Sequence, residues 1–141
     1  MALAIRSAEP RDHATLAALI GQLGYTATAG EVADRLADME AEGLLVLVAE
    51  LGGAVVGCLS TSIMRVLHRP APVGRISMMV VEETLRGRGI GAELVRAAER
   101  ELAARGCRMI EVTSNARRTE AHRFYERLYY ERTSVRLAKE L

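Results

Sequence analysis

Apolar residues recur along this chain with two different periods, and the switch between them divides it into elements. A short strand, Leu3–Arg6, leads through Glu9-Pro10 into a helix. The apolar stripe of that helix is Leu16, Leu19, Ile20 and Leu23, and Gly24 ends it. Thr28-Ala-Gly-Glu31 has the spacing of a capping box, in which hydroxyl and carboxyl each accept the other residue's backbone N–H. It predicts the start of a second helix, with Val32, Leu36 and Met39 on one face and Gly43 beyond its end. From Leu44 the texture becomes strand-like. Leu44–Leu51 and Ala54–Met64 are separated only by Gly52-Gly53, the signal of a two-residue hairpin of the primed type. A polar loop over 65–72 precedes a third strand, Val73–Val81. Helical spacing returns over Ile90–Arg105, with Ile90, Leu94, Ala97, Ala98 and Leu102 on one face and Gly106 after it. Cys107–Thr113 reads as a strand, Arg117–Leu128 as a helix and Thr133–Leu137 as a final strand. The predicted order is β-αα-βββ-α-β-α-β, a mixed sheet with helices on both sides. No repeat or linker interrupts it, so residues 1–141 are expected to form one domain.

Composition narrows the function classes. Half the residues are hydrophobic, and 19 basic side chains meet 18 acidic ones, so nothing in the balance points to nucleic acid. The basic residues are almost all scattered arginines, Lys139 being the only lysine. The longest apolar run, Leu44–Ala49, is far short of the ~20 residues of a membrane span. No signal peptide is visible at the N-terminus, and a cytoplasmic protein with no membrane partner is expected. In that setting Cys58 and Cys107 read as buried thiols. His13, His68 and His122 lie too far apart to suggest a metal site.

The chemistry concentrates between Ile76 and Ala92. An apolar strand runs into a loop with glycine at 87, 89 and 91, flanked by Arg86 and Arg88, and the loop opens directly into a helix. A helix start leaves backbone N–H groups unpaired, with partial positive charge behind them. Glycine lets an anion approach that backbone, and arginine adds fork-shaped donors. The combination suits a group the size of a pyrophosphate. Neither the dinucleotide fingerprint nor the P-loop spacing is present; what stands here is Arg86-x-x-Gly89-x-Gly91.

With Asn115 after the next strand and Phe124-Tyr125-Glu126 in the helix beyond, the chain resembles the GNAT superfamily of N-acetyltransferases over essentially its whole length. The resemblance implies a mostly antiparallel central sheet flanked by helices, and acetyl-CoA as acyl donor. It places Arg86, Gly87, Arg88, Gly89, Ile90, Gly91 and Ala92 around the donor's phosphates. It also sets the backbone of Val80 and Val81 against the pantetheine arm, which mimics an added strand. Asn115 would touch the pantetheine, and Tyr125 would lie near the thioester sulfur. Relatives are often dimers, and the Thr133–Leu137 strand suggests pairing across a twofold axis.

The chain departs from the family pattern twice. Glycine usually follows Phe-Tyr-Glu-x-Leu, where the helix ends at positive φ; here Tyr129 stands, and a left-handed tyrosine costs ~1–2 kcal/mol. A different ending to the helix is therefore expected. Many relatives also carry an acidic base early in the strand before the phosphate loop, where this chain has Ser77 and Met78. Glu82 and Glu111 are the remaining carboxylates to consider as base, and Tyr125 is the candidate proton donor to the departing thiolate. The implied reaction is direct attack of a small-molecule primary amine on the thioester. A protein N-terminal or lysine acetyltransferase and a non-catalytic acyl-CoA-binding module are the competing readings.

Overall fold

The computed structural model describes residues 2–114 and 118–141. The elements are β1 (Leu3–Ser7), α1 (His13–Gln22), α2 (Ala29–Ala41), β2 (Val46–Leu51), β3 (Ala54–Met64), β4 (Val73–Val81), α3 (Ile90–Ala104), β5 (Met109–Val112) and α4 (Thr119–Arg127). Single 3₁₀ turns at Pro10–Asp12 and Glu83–Leu85 lead out of β1 and β4. The five strands lie side by side in sequence order, β1 to β4 antiparallel and β5 parallel to β4. A parallel pair cannot be joined by a tight turn, and α3 supplies the crossover between β4 and β5. This is the mixed, mostly antiparallel α/β sheet that the sequence suggests.

Alternation along the strands sorts the core into two layers. In β2, Leu47 and Ala49 face the cluster formed with α3 and α4, while Val46 and Val48 face α1 and α2. Leu94, Val95, Ala98 and Leu102 of α3 are fully buried, and each large apolar side chain removed from water contributes about 1.5–3 kcal/mol. Two bulges shift the phase of this alternation. Ser60 pairs with Met78 but Thr61 with Ile76, leaving Ser77 as an extra residue in β4. Before it Ile76 faces α3; after it Met79 and Val81 do, and Met78 and Val80 turn to α1 and α2. The extra residue thus re-aims the second half of β4, where the site lies.

The hairpin between β2 and β3 turns on Gly52 and Gly53 at φ 58° and 84°, as the primed type requires. The capping box of α2 forms as read. Glu31 N–H donates to Thr28 Oγ1 at 3.1 Å, and Thr28 N–H donates to Glu31 Oε1 at 2.9 Å.

Two expectations fail. Residues 133–137 form no strand: the chain from 131 to 141 is exposed throughout and pairs with none of the described strands. A strand needs a partner edge as well as an alternating pattern, and here the pattern alone is present. Tyr129 does take the left-handed conformation, at φ 71°. The helix therefore ends as it would with glycine. Tyr130 accounts for it: its N–H donates to Tyr125 O, its hydroxyl donates to Glu99 Oε2 at 2.8 Å, and its ring packs against the core. Those contacts fix the chain on both sides of the strained residue.

Candidate active site

Beyond Ile76 the ladder between β4 and β5 stops, because β5 pairs only with Val73–Ile76. The rest of β4, from Ser77 to Val81, is bonded to β3 alone among the described strands. Its other edge looks into a cleft of about 910 Å³, closed on the far side by α4 and floored by the start of α3. Met79, Val80 and Val81 line this cleft from β4, and Phe124 and Leu128 line it from α4.

The start of α3 has no side-chain cap. Gly89 occupies the capping position at φ 83°, preceded by Gly87 at φ 82°. A side chain at either would be strained, and the space where its Cβ would stand is open. The first-turn N–H groups of α3 thus meet the cleft with no protein oxygen spent on them from a capping side chain. Gly91 has a different reason. A Cβ there would lie 3.2 Å from Phe124 Cζ, so this glycine lets α4 close onto α3. The spacing assigned all three glycines to an anion; the packing assigns two to the open loop and one to helix contact.

The sequence-predicted residues divide accordingly. Val80, Val81, Arg86, Gly87, Gly89, Ile90, Gly91 and Ala92 surround one cleft. Arg86 is anchored by its Nε, which donates to Val81 O at 3.2 Å. Arg88 is exposed and does not line the cleft, since it lies between two glycines that turn the chain. Asn115 lies outside the described residues. Tyr125 is buried behind the cleft wall, its ring edge-on to Phe124 at 5.0 Å and to Tyr130 at 5.6 Å. Burial pushes its hydroxyl up to about 12, which keeps the proton in place at any working pH.

The two candidate bases sit apart. Glu82 Oε2 accepts from Gln22 Nε2 at 2.7 Å, and Gln22 lines the cleft from the end of α1. Glu83 N–H donates back to Gln22 Oε1 at 3.0 Å, so one side chain ties α1 to the end of β4. Glu111 is held by Arg75, whose Nε donates to it at 3.1 Å. Ser77 shares a hydrogen bond with Ser60 at 2.8 Å between their hydroxyls, on an exposed part of the sheet. Both cysteines are buried thiols, as expected; desolvation pushes Cys58 up to about 12.

Sequence reading missed Gln22, Leu23, Arg118 and Arg127 as cleft residues. Arg118 Nη2 donates to Leu23 O at 3.2 Å across 95 residues of chain, a pairing no local motif announces. Among the described residues no group of His, Cys, Asp and Glu gathers that could hold a metal ion, and no helix is long and apolar enough to cross a membrane.

Comparison with known proteins shows the family and the fold. The profile of the acetyltransferase (GNAT) family matches residues 14–130. The aminoalkylphosphonate N-acetyltransferase of Salmonella typhimurium is 33% identical over 142 residues, which cover 97% of this chain and 90% of that protein. Among solved structures, a transcriptional regulator from Bacillus halodurans superposes with a TM-score of 0.90 at 23% identity, covering 99% of this chain and all of that one. An aminoglycoside N-acetyltransferase in complex with CoA superposes with a TM-score of 0.88 at 19% identity, covering 99% of this chain and 95% of that one. At these identities the two structures show a shared fold.

Proposed function

The chain belongs to the acetyltransferase (GNAT) family and is an acyltransferase, and from that premise we propose that it transfers an acetyl group from acetyl-CoA to the primary amine of a small molecule by direct attack on the thioester. One observation carries the donor assignment. The uncapped start of α3, entered through two left-handed glycines, faces a cleft that runs along the unpaired edge of β4. Such a helix start suits a pyrophosphate, and such a strand edge suits the amides of a pantetheine arm. That an aminoglycoside N-acetyltransferase of the same fold holds CoA supports the match. The Salmonella relative, an aminoalkylphosphonate N-acetyltransferase, supports a small amine as acceptor.

The bound thioester would supply the acyl group and a thiolate leaving group. The chain's own residues then have three tasks. An alkylammonium has a pKa of about 10, so the acceptor must lose a proton before it attacks. Glu82, hydrogen-bonded to the cleft residue Gln22, is the carboxylate we assign to that step, ahead of Glu111, which Arg75 engages. Backbone N–H groups near Val80 offer stabilisation to the oxyanion. Tyr125, protonated throughout the working range, is assigned to return a proton to the sulfur. Direct attack is what the family resemblance implies, and it is consistent with both cysteines, Cys58 and Cys107, being buried thiols that desolvation keeps protonated.

A panel of primary amines that includes aminoalkylphosphonates, aminoglycosides, amino sugars and a lysine peptide, assayed with acetyl-CoA by release of free thiol, tests the reading. Turnover is expected with a small amine. Turnover of the peptide alone would favour a protein acceptor, and CoA binding with no turnover of any amine would favour the non-catalytic reading, to which Ser77 and Met78 lend support.

A further inference from the structure

The two faces of the sheet are unlike where β4 and β5 part. On one face α3 and α4 close over the cleft. On the other, the layer of α1 and α2 reaches Cys58, Met78 and Val80. Past that limit the face is polar. Ser60 and Ser77 share their hydroxyl hydrogen bond there, and Arg75 pairs with Glu111 across the strands, one register before the ladder ends at Ile76 and Val112. Ile76, Ile110 and Val112 pack toward α3, so alternation sets Arg75 and Glu111 on the open face. Arg75 is used sparingly. Its Nε donates to Glu111 at 3.1 Å, and its two Nη groups donate to none of the described residues. The stretch from Leu51 to Val81 carries three arginines and no carboxylate, so nothing on its own hairpin competes for that guanidinium.

We propose that Arg75 is a specificity-determining residue of the acyl transfer: the free edge of its guanidinium binds an anionic group on the acceptor, so the preferred acceptor is a small amine that also carries a phosphonate, phosphate or carboxylate. This rests on the proposed function. With the donor in the cleft and α4 closing the far side, the acceptor's way to the β4 edge lies through the opposite face, past Ser77. Ser77, the extra residue of the bulge, is the first residue of β4 beyond the ladder with β5. Arg75 stands two residues before it, ~7 Å at about 3.3 Å each. An anion held at Arg75 thus leaves the amine of a compact molecule within reach of the fork between the strands. Glu111 has a positioning task. By taking Nε it fixes the guanidinium and leaves the two Nη groups as a parallel pair of donors, the arrangement that carboxylate and phosphonate oxygens accept from. Between them Ser60 and Ser77 keep one hydroxyl proton unspent on the same face, a further donor for the acceptor.

Calorimetry on the full chain saturated with CoA tests the proposal through binding, without need of turnover. The probes are 2-aminoethylphosphonate, β-alanine and ethanolamine, which lacks the anion. An anionic probe is expected to bind about tenfold or more tighter than ethanolamine, the scale of hydrogen bonds to a charged group. A lead by either the phosphonate or β-alanine supports the proposal and names the anion. Arg75→Met should erase the preference and keep the rise in melting temperature with CoA, which shows that the variant folds. Arg75→Lys, which keeps the charge without the fork, should restore part of the preference. In the thiol-release assay Arg75→Met should raise KM for the anionic amine with little change in kcat, the pattern of lost binding. Equal binding of the three probes by the wild type, or binding of none, overturns the proposal, as does a preference that survives Arg75→Met. Absence of turnover with every amine would sink the acetyl transfer, and the binding preference would still decide the role of Arg75.

Discussion

The 3₁₀ turn Pro10–Asp12, which leads into α1, and the start of α3 both present backbone N–H groups to be answered, and they meet that need in opposite ways. Ahead of α1, Asp12 is buried; Glu9 N–H donates to its Oδ2 at 2.7 Å, and Arg6 donates to both carboxylate oxygens at 2.8 and 3.0 Å. At α3 no side chain answers the first-turn N–H groups, and glycine turns the chain away from them. Capping by a side chain is generally worth about 1 kcal/mol, so the open end is a stability the free protein forgoes. The closed turn is answered within the protein, whereas under the proposed function the open one is completed by the donor. The difference between scaffold and receptor here lies in which backbone groups the sequence leaves unanswered.

Kinetics offer the largest effect with which to break this contrast. If the open end holds the donor and Tyr125, behind the cleft wall, is the acid, then Tyr125 should matter to turnover and little to affinity. Tyr125→Phe is expected to lower kcat and kcat/KM together by ~10–10³-fold while CoA still raises the melting temperature. Because burial carries the hydroxyl up to about 12, the wild-type rate should show no fall from loss of this proton below pH 10. A variant that keeps more than half its activity would make the tyrosine structural.

Stability tests the closed end. Asp12→Ala leaves Arg6 without its main partner and is expected to cost about 3 kcal/mol in a urea melt, the low end for a broken buried pair. The low end applies because Arg6 keeps Glu50 at 3.5 Å. Arg6 holds the Asp12 carboxyl below the usual aspartate range. Its contribution is therefore complete above about pH 4 and is lost as the pH falls through the depressed value. The gap between wild type and variant should close in acid, and a gap that widened there would refute the ion pair.

Gly89→Val attacks the open end. At a hundredfold excess over Kd a ligand adds about 2.7 kcal/mol to stability, and this variant should lose that gain because its side chain enters the space before the helix. An unchanged CoA shift in the folded variant would remove the phosphate from this loop. Thr28→Ala is the matching change at the closed start of α2. It should cost about 1 kcal/mol and leave the CoA shift intact, as compared by melts with and without ligand.

Legibility followed the range over which each signal acts. The Gly52-Gly53 turn, the Thr28–Glu31 box and the bounds of β3 and β4 are local, and were readable. Cys107–Thr113 shortens to Met109–Val112 because strand length is set by the partner's ladder. The loop that opens α3 was legible because strand, glycines and helix are contiguous. The far wall of the cleft was not, since Gln22 and Arg118 reach it through contacts 60 and 95 residues apart. Gly91 shows the limit within a motif: its neighbours in sequence suggest an anion, and its neighbour in space is Phe124.

Tyr129 has a consequence for how far this protein can still be improved. It holds a left-handed backbone with a ring 93% exposed, so the fold keeps a seat shaped for glycine under a residue that gains little by occupying it. Relief of ~1–2 kcal/mol of strain exceeds the ~0.4–1 kcal/mol that a more flexible unfolded chain would cost. Tyr129→Gly should therefore raise the melting temperature slightly, the smallest change predicted here and the only one upward. A lower melting temperature would show that the ring has work to do. The sequence has drifted one step from its own stability optimum, and the headroom lies at the end of α4, away from the glycines of the open loop.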